Sequence, residues 1–183
     1  MTVARAADVE AGRAQAQACA HCHGPDGNSV LPTAPSLAGQ PAFYLHWQLI
    51  LYRDGRRRDP EMSPFAASLS DADMANLAAF YAAVEPKPRL EASTAGDQAA
   101  AGRRLSQLHH CESCHAPELA GTRYAPRIAG LSYEYLLKQL RGFKAQTRGN
   151  LDGTMTAAAQ LLTDAEIEIL ARYLASLRPL AQP

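Results

Sequence analysis

Two copies of one five-residue motif constrain this chain more than any other feature of its sequence. The segments CAHCH at residues 19–23 and CESCH at residues 111–115 contain all four cysteines of the 183-residue chain. Each reads C-x-x-C-H, so two thiols three positions apart lie on one face of a helical turn. A histidine side chain follows each pair immediately. The fold must therefore accommodate the same chemical unit twice.

The motif predicts covalent attachment of a c-type haem. A thioredoxin-like redox pair would need a βαβ pattern around it, and structural disulfides would not need a histidine after each pair. A zinc site would need the two pairs about 12–20 residues apart, whereas residues 23–110 separate them here. We expect two haem c groups, attached through Cys19, Cys22, Cys111 and Cys114, with His23 and His115 as the first axial ligands of the irons.

The rest of the chain repeats with the motif. APSLAG at residues 34–39 recurs as APRIAG at 125–130, and SDAD at 70–73 recurs as TDAE at 163–166. A linker with two prolines runs from residue 85 to residue 96. We therefore predict two domains, unit one (residues 1–88) and unit two (residues 89–183), each with one haem.

Helical periodicity recurs in both units, and alternating strand patterns are absent. Helices are predicted at about 9–20, 41–53 and from residue 70 in unit one, and at about 98–110, 132–146 and 163–178 in unit two. Pro41 is expected at the first helical position. The last helix of each unit starts with a capping-box pattern, Ser70-x-x-Asp73 and Thr163-x-x-Glu166. The fold class is predicted to be all-α, with two similar small domains.

The second axial ligand decides between electron transfer and chemistry at an open iron. Met62 and Met155 occupy equivalent places in segments expected to be irregular, just before the last helix of each unit. We expect both to ligate iron. Met74 has core spacing on a helix and is interpreted as packing. The alternative is that one of the two methionines only fills a gap and a histidine such as His46 ligates instead.

Other side chains are candidates for holding the haem in place. A ligating histidine donates its second N–H to a fixed acceptor, and the carbonyls of Pro35 and Pro126 are candidates. Haem propionates need hydrogen-bond donors. The candidates are Tyr44, Gln48 and Arg56 or Arg57 for unit one, and Tyr135, Gln139 and Arg148 for unit two.

Composition excludes other classes of protein. The chain has 18 basic and 18 acidic side chains, so it lacks the basic excess of a nucleic-acid-binding protein. No segment approaches the roughly 18 apolar residues that mark a membrane span. Association with a membrane surface is left open, and a monomer is expected. Two irons with both axial positions filled favour electron transfer over catalysis.

The sequence resembles the di-haem cytochrome c4 family. The resemblance rests on the two C-x-x-C-H motifs and on PSLAGQ at residues 35–40, YLHWQL at 44–49, MSPFA at 62–66 and LSDADM at 69–74. It implies two class-I-like cytochrome c domains related by a pseudo-twofold axis. It also implies a periplasmic electron carrier between a quinol-oxidising cytochrome bc complex and a terminal oxidase or similar acceptor. Ala116, where glycine usually follows the haem histidine, and Leu131, which replaces the equivalent of Gln40, depart from the family pattern.

Two other functions remain as alternatives. One is the cytochrome subunit of a periplasmic dehydrogenase, such as a flavin-dependent sulfide dehydrogenase, whose chemistry would lie on a partner chain. The other is an enzyme that acts at an open haem iron. No signal peptide is visible, so a periplasmic location predicts a mature or recombinant chain.

Overall fold

The computed structural model describes residues 6–89, 96–150 and 152–180, and every regular element in these ranges is a helix. The all-α prediction is thereby confirmed. Residues 90–95 of the predicted linker lie outside the described residues. The helices are α1 (Val9–Gln15), α2 (Ala20–His23), α3 (Ala42–Arg53), α4 (Met62–Ala67), α5 (Asp71–Ala83), α6 (Asp97–Leu108), α7 (Cys111–His115), α8 (Tyr133–Lys144), α9 (Thr154–Gln160) and α10 (Asp164–Ser176), with 3₁₀ segments at Ala16–Cys19 and Pro117–Leu119.

The first and last helices of each unit cross in close contact. A Cβ on Gly12 of α1 would lie 2.1 Å from the carbonyl oxygen of Asn76 in α5. A Cβ on Gly102 of α6 would lie 2.2 Å from the Cβ of Tyr173 in α10. Only a glycine lets the two backbones approach this closely. Both crossings hold the haem motif, which follows the first helix, against the core of its unit.

Both predicted capping boxes are confirmed. Ser70 Oγ accepts from the Asp73 N–H at 3.1 Å, while the Ser70 N–H donates to the Asp73 carboxylate at 2.9 Å. Thr163 and Glu166 make the same reciprocal pair at 3.2 and 2.7 Å. Each box satisfies amides that the first helical turn leaves without partners. The start of the last helix is therefore fixed in the same way in both units.

Three local predictions were wrong. Pro41 is the residue before α3 rather than its first residue. The single helix predicted over 9–20 is interrupted by the 3₁₀ segment, so the chain tightens before the first haem motif. The segments around Met62 and Met155, expected to be irregular, form α4 and α9. Short alanine-containing stretches such as these form helices only with tertiary packing, which sequence periodicity does not reveal.

Within the described residues, buried apolar side chains form one cluster in each unit. Met74 is fully buried in α5, as the packing interpretation predicted. Leu161, which follows α9 directly, is exposed. None of the described helices is both long enough and apolar enough to cross a membrane. Buried members of the clusters include Ala16, Leu45, Leu77 and Phe80 in unit one, and Leu119, Leu136, Ile167, Leu170 and Leu174 in unit two.

Candidate haem centres

The histidine of each motif is buried and held by one hydrogen bond. His23 Nδ1–H donates to the Pro35 carbonyl at 2.9 Å, and His115 Nδ1–H donates to the Pro126 carbonyl at 2.7 Å. A carbonyl oxygen can only accept, so the proton is on Nδ1 in both rings. Nε2 therefore keeps its lone pair and can bind a metal. The structure thus brings the four residues together in the pairs that the sequence suggested.

Electrostatics favour the same state of the two rings. Burial lowers the pKa of His23 and of His115, and the carbonyl hydrogen bonds oppose this only in part. The neutral imidazole, the form that ligates iron, is therefore favoured in both units.

The four cysteines lie on the helical turns that end in these histidines, and none of them forms a disulfide. Before a haem is attached, burial raises the pKa of the Cys19 and Cys111 thiols. Two cysteines on the same turn as a ligating histidine are the arrangement that covalent haem attachment requires. The donor set thus fits a haem in each unit.

The residue that follows each haem motif has a positive φ. Gly24 has a φ of 79°, and Ala116 has a φ of 64° although it carries a Cβ. Left-handed backbone is unfavourable for any residue except glycine. The departure from the family pattern at Ala116 therefore preserves the turn at the expense of local strain.

Met62 is the first residue of α4, and Asp59 fixes its position. Asp59 Oδ1 accepts from the N–H groups of Glu61 and Met62 at 3.0 and 3.1 Å. Lys138 of unit two donates to Asp59 Oδ2 at 2.8 Å. A helix of unit two thus helps to hold the segment that presents Met62.

Met155 lies at the equivalent place in α9 and packs against the apolar cluster of unit two. Asp152 Oδ1 accepts from the Thr154 N–H at 3.1 Å, which resembles the role of Asp59. Both methionines are half-buried. His46, the alternative ligand, lies in α3, and its Nε2 is buried without a hydrogen-bond partner.

A polar cluster around the buried Arg57 joins the two units. Arg57, only 6% exposed, donates to Gln48 Oε1 at 2.6 Å within unit one. The same guanidinium donates across the boundary to Tyr135 Oη at 3.2 Å and to Gln139 Oε1 at 3.1 Å. We call Arg57, Gln48, Tyr135, Gln139 and their counterparts Arg148 and Tyr44 the arginine cluster.

The contacts of Arg148 mirror those of Arg57. Arg148 donates to Gln139 within unit two and to Tyr44 Oη of unit one at 3.3 Å. This reciprocity is expected of two similar units about a pseudo-twofold axis. In the described residues neither guanidinium forms an ion pair with a carboxylate. A buried cation, Arg57, and a half-buried one, Arg148, make the cluster a fitting place for propionates.

The arginine cluster also acts on a tyrosine. Burial alone would raise the pKa of Tyr135, but the guanidiniums of Arg57 and Arg148 hold it below its ordinary value. Six of the seven propionate candidates lie in the cluster, namely Tyr44, Gln48, Arg57, Tyr135, Gln139 and Arg148. Arg56 does not, because it is exposed and its guanidinium lies 5.9 Å from the centre of the Trp47 ring. The sequence left the choice between Arg56 and Arg57 open, and Arg57 is the one that lies in the cluster.

A second buried contact between the units involves Gln40 and Arg127. Gln40 Nε2 donates to the Arg127 carbonyl at 2.9 Å, and the Arg127 N–H donates to Gln40 Oε1 at 3.0 Å. The Arg127 guanidinium donates to the carbonyls of Ala129 at 2.5 Å and Ala38 at 2.9 Å. Burial lowers the pKa of Arg127 to about 10, and its Nε has no acceptor.

Sequence reasoning missed Arg127, Gln40 and Asp59 as residues of the site. The available signal was the mismatch between the repeats, since Arg127 and Gln40 stand opposite Ser36 and Leu131. A mismatch shows that a position differs but not what the side chain contacts.

The two neighbouring arginines give a matched test of the arginine cluster. We expect Arg57→Met to lower the free energy of unfolding by about 1–3 kcal/mol, because it leaves the half-buried Gln48 Oε1 and Tyr135 Oη without their donor. Arg56→Met should change it by less than about 0.5 kcal/mol, since that side chain is exposed. Urea denaturation of the haem-loaded protein measures both. Equal effects of the two variants would contradict the assignment of Arg57 to the cluster.

The hydrogen bonds of the Asp59 carboxylate predict that the protein loses stability in acid. Burial alone would raise the pKa of Asp59, but hydrogen bonds from Lys138 and from the amides of Met62 and Glu61 hold it below its ordinary value of 3.8. A carboxylate with a depressed folded-state pKa stabilises the protein at neutral pH, and this stabilisation is lost as pH falls below about 4.

The measurement is the urea midpoint from pH 6 to pH 2. Asp59→Asn keeps an oxygen for the two amides but cannot titrate, so its midpoint should fall less steeply than that of the wild type. Glu61→Gln, which removes an exposed carboxylate two residues away, should follow the wild-type curve. Parallel curves for Asp59→Asn and the wild type would count against this role of Asp59.

Known proteins share both the sequence and the fold. The Cytochrome c family profile matches residues 9–84 and 99–178. Cytochrome c4 of Pseudomonas aeruginosa is 35% identical over 182 residues, covering 94% of this chain and 90% of that protein. A thiosulfate dehydrogenase electron acceptor of Stutzerimonas stutzeri is 36% identical over 172 residues, covering 88% of this chain and 79% of that protein.

A solved structure agrees over the same extent. The crystal structure of reduced recombinant cytochrome c4 from Pseudomonas stutzeri superposes with a TM-score of 0.86 at 30% identity, covering 94% of this chain and all of that one. The profile matches each unit separately, which implies two cytochrome c domains and two covalently bound c-type haems. The chain therefore belongs to the cytochrome c4 family of di-haem electron-transfer proteins.

Proposed function

We propose that this di-haem cytochrome carries electrons in the periplasm, from a quinol-oxidising cytochrome bc complex to a terminal oxidase or a similar acceptor. The observation that supports a carrier best is the pair of histidine–carbonyl hydrogen bonds, because each leaves Nε2 free to ligate iron. We expect the domain boundary near residue 88, and a monomer.

The proposed ligand sets pair one imidazole with one thioether in each unit. His23 and Met62 hold the iron of unit one, and His115 and Met155 hold the iron of unit two. Histidine–methionine ligation raises the reduction potential and leaves no position for a substrate. The haems supply one-electron chemistry, while the chain fixes their ligands and limits access of water.

The arginine cluster is proposed to receive haem propionates at the boundary between the units. Arg57 brings a buried positive charge there and Arg148 a half-buried one, and each also contacts a tyrosine of the other unit. Carboxylates would neutralise these cations through charge-assisted hydrogen bonds. The same groups would fix the distance between the haems, which sets the rate of electron exchange between them.

A second candidate is the electron-accepting partner of a thiosulfate-oxidising dehydrogenase. It is favoured by the 36% identity to a protein named as a thiosulfate dehydrogenase electron acceptor. The site itself would be unchanged, since only the donor differs.

Ligand substitution tests the proposed axial sets. Met62→His and Met155→His should each remove about half of the sulfur-to-iron charge-transfer absorbance of the oxidised protein and lower one of the two potentials. Met74→Leu, a substitution of similar volume in the core, should leave both unchanged. Spectroelectrochemical titration records absorbance and potential together. A full-strength band in either histidine variant would overturn that ligand assignment.

Donor kinetics distinguish the two candidate functions. The oxidised protein is mixed in turn with a purified cytochrome bc complex plus quinol and with a purified thiosulfate dehydrogenase plus thiosulfate. The carrier proposal expects faster reduction by the bc complex, with a rate that falls as salt rises if charges guide docking. Faster reduction by the dehydrogenase would establish the second candidate instead.

A further inference from the structure

The hydrogen bonds around the histidine of the haem motif differ between the two units. In unit two, the Pro126 carbonyl that accepts from His115 and the Arg127 N–H belong to one peptide group. That N–H donates to Gln40 Oε1 of unit one at 3.0 Å. A continuous chain of hydrogen bonds therefore runs from the side chain of Gln40, through one peptide, to the imidazole of His115.

This chain is buried and held from both sides. Gln40 is 3% exposed and Arg127 is 1% exposed. Gln40 Nε2 also donates to the Arg127 carbonyl at 2.9 Å, so the amide of Gln40 pairs with the backbone of Arg127 as a neighbouring strand would. The Arg127 guanidinium donates to the Ala38 carbonyl of unit one at 2.9 Å. Water has little access to compete with these bonds.

Among the described residues, no side chain of unit two forms a hydrogen bond with the peptide that joins Pro35 to Ser36 in unit one. The residue opposite Gln40 in the repeat is Leu131, which has no side-chain amide. The residue opposite Arg127 is Ser36, whose hydroxyl accepts from the Ser29 N–H at 3.2 Å within unit one. Neither Leu131 nor Ser36 therefore makes the contact that Gln40 and Arg127 make in unit two.

Hydrogen bonds in series polarise one another. An acceptor on the N–H of a peptide makes the carbonyl of that peptide a stronger acceptor. A stronger acceptor draws the Nδ1 proton of His115 and makes Nε2 a more basic ligand. A more basic ligand favours ferric over ferrous iron, so it lowers the reduction potential.

We propose that Gln40 of unit one is a positioning residue for the haem of unit two, whose potential it lowers by polarising the peptide that accepts from His115. The inference rests on the proposed function in one respect, that His115 ligates iron. Electron uptake by the second haem then depends on how closely the first unit is docked against it. The first haem has no matching dependence through Leu131.

Gln40→Leu, which copies residue 131, tests the proposal. The potential of the unit-two haem should rise, while that of the unit-one haem stays unchanged. A merely structural role predicts the opposite sign, because a loosened boundary admits water and water stabilises the more highly charged ferric centre. Gln40→Met, an unbranched apolar side chain of similar length, provides the same test if the leucine variant folds poorly.

Ser132→Ala is the matched control. It removes another hydrogen bond between the units, from Ser132 Oγ to the Pro32 carbonyl at 2.5 Å, and the N-cap hydrogen bond from the Tyr135 N–H at 3.3 Å. Neither involves the peptide of Arg127. Each titration is repeated with Met155→His added, which shows which potential belongs to the unit-two haem. Proton NMR follows the Nδ1 proton of His115. An unchanged or lowered unit-two potential in Gln40→Leu, or equal shifts of both haems, overturns the proposal.

Failure of the ligand assignment is seen separately. In the wild-type protein it would appear as a missing sulfur-to-iron band. In Met155→His without a change at Gln40 it would appear as an unchanged unit-two potential. With the band present and the potentials assigned, the Gln40 result tests the relay alone.

Discussion

A hydrogen bond from a histidine to a backbone carbonyl is the contact on which each haem centre depends. It fixes the proton on Nδ1 and orients the ring, so that Nε2 faces away from the bond. The carbonyls belong to Pro35 and Pro126, whose rings restrict the backbone. The loops that contain these prolines also meet the last helix of their unit, since the N–H groups of Gly39 and Gly130 donate to the carbonyls of Tyr81 and Leu174. The packing of the terminal helices is thus connected to the orientation of His23 and of His115.

The sequence predicted most of what lies within each unit. The C-x-x-C-H motifs, the capping boxes and the prolines act over a few residues, and their chemistry is readable from spacing alone. The repeat then paired Met62 with Met155 without any structural information. The short helices α4 and α9 were not predicted, because they depend on packing against the rest of the unit rather than on their own periodicity.

Most contacts between the two units could not be predicted from the sequence. The choice between Arg56 and Arg57 depends on which side chain faces unit two, and the run of three arginines carries no such signal. Lys138 and Asp59 are ordinary charged residues until the fold brings them to 2.8 Å. Gln40 is part of the segment at residues 35–40 that resembles the family. Its contact with a peptide 87 positions later could not be inferred from a single sequence.

The arginine cluster has a consequence for how such a molecule is assembled. Two guanidiniums at the seam between the halves repel one another until anionic groups arrive between them. If haem propionates are those groups, covalent loading of both halves precedes their close association. Haem attachment would then come before the close contact between the two units. A chain with only one haem attached would keep an uncompensated positive charge at the boundary between them.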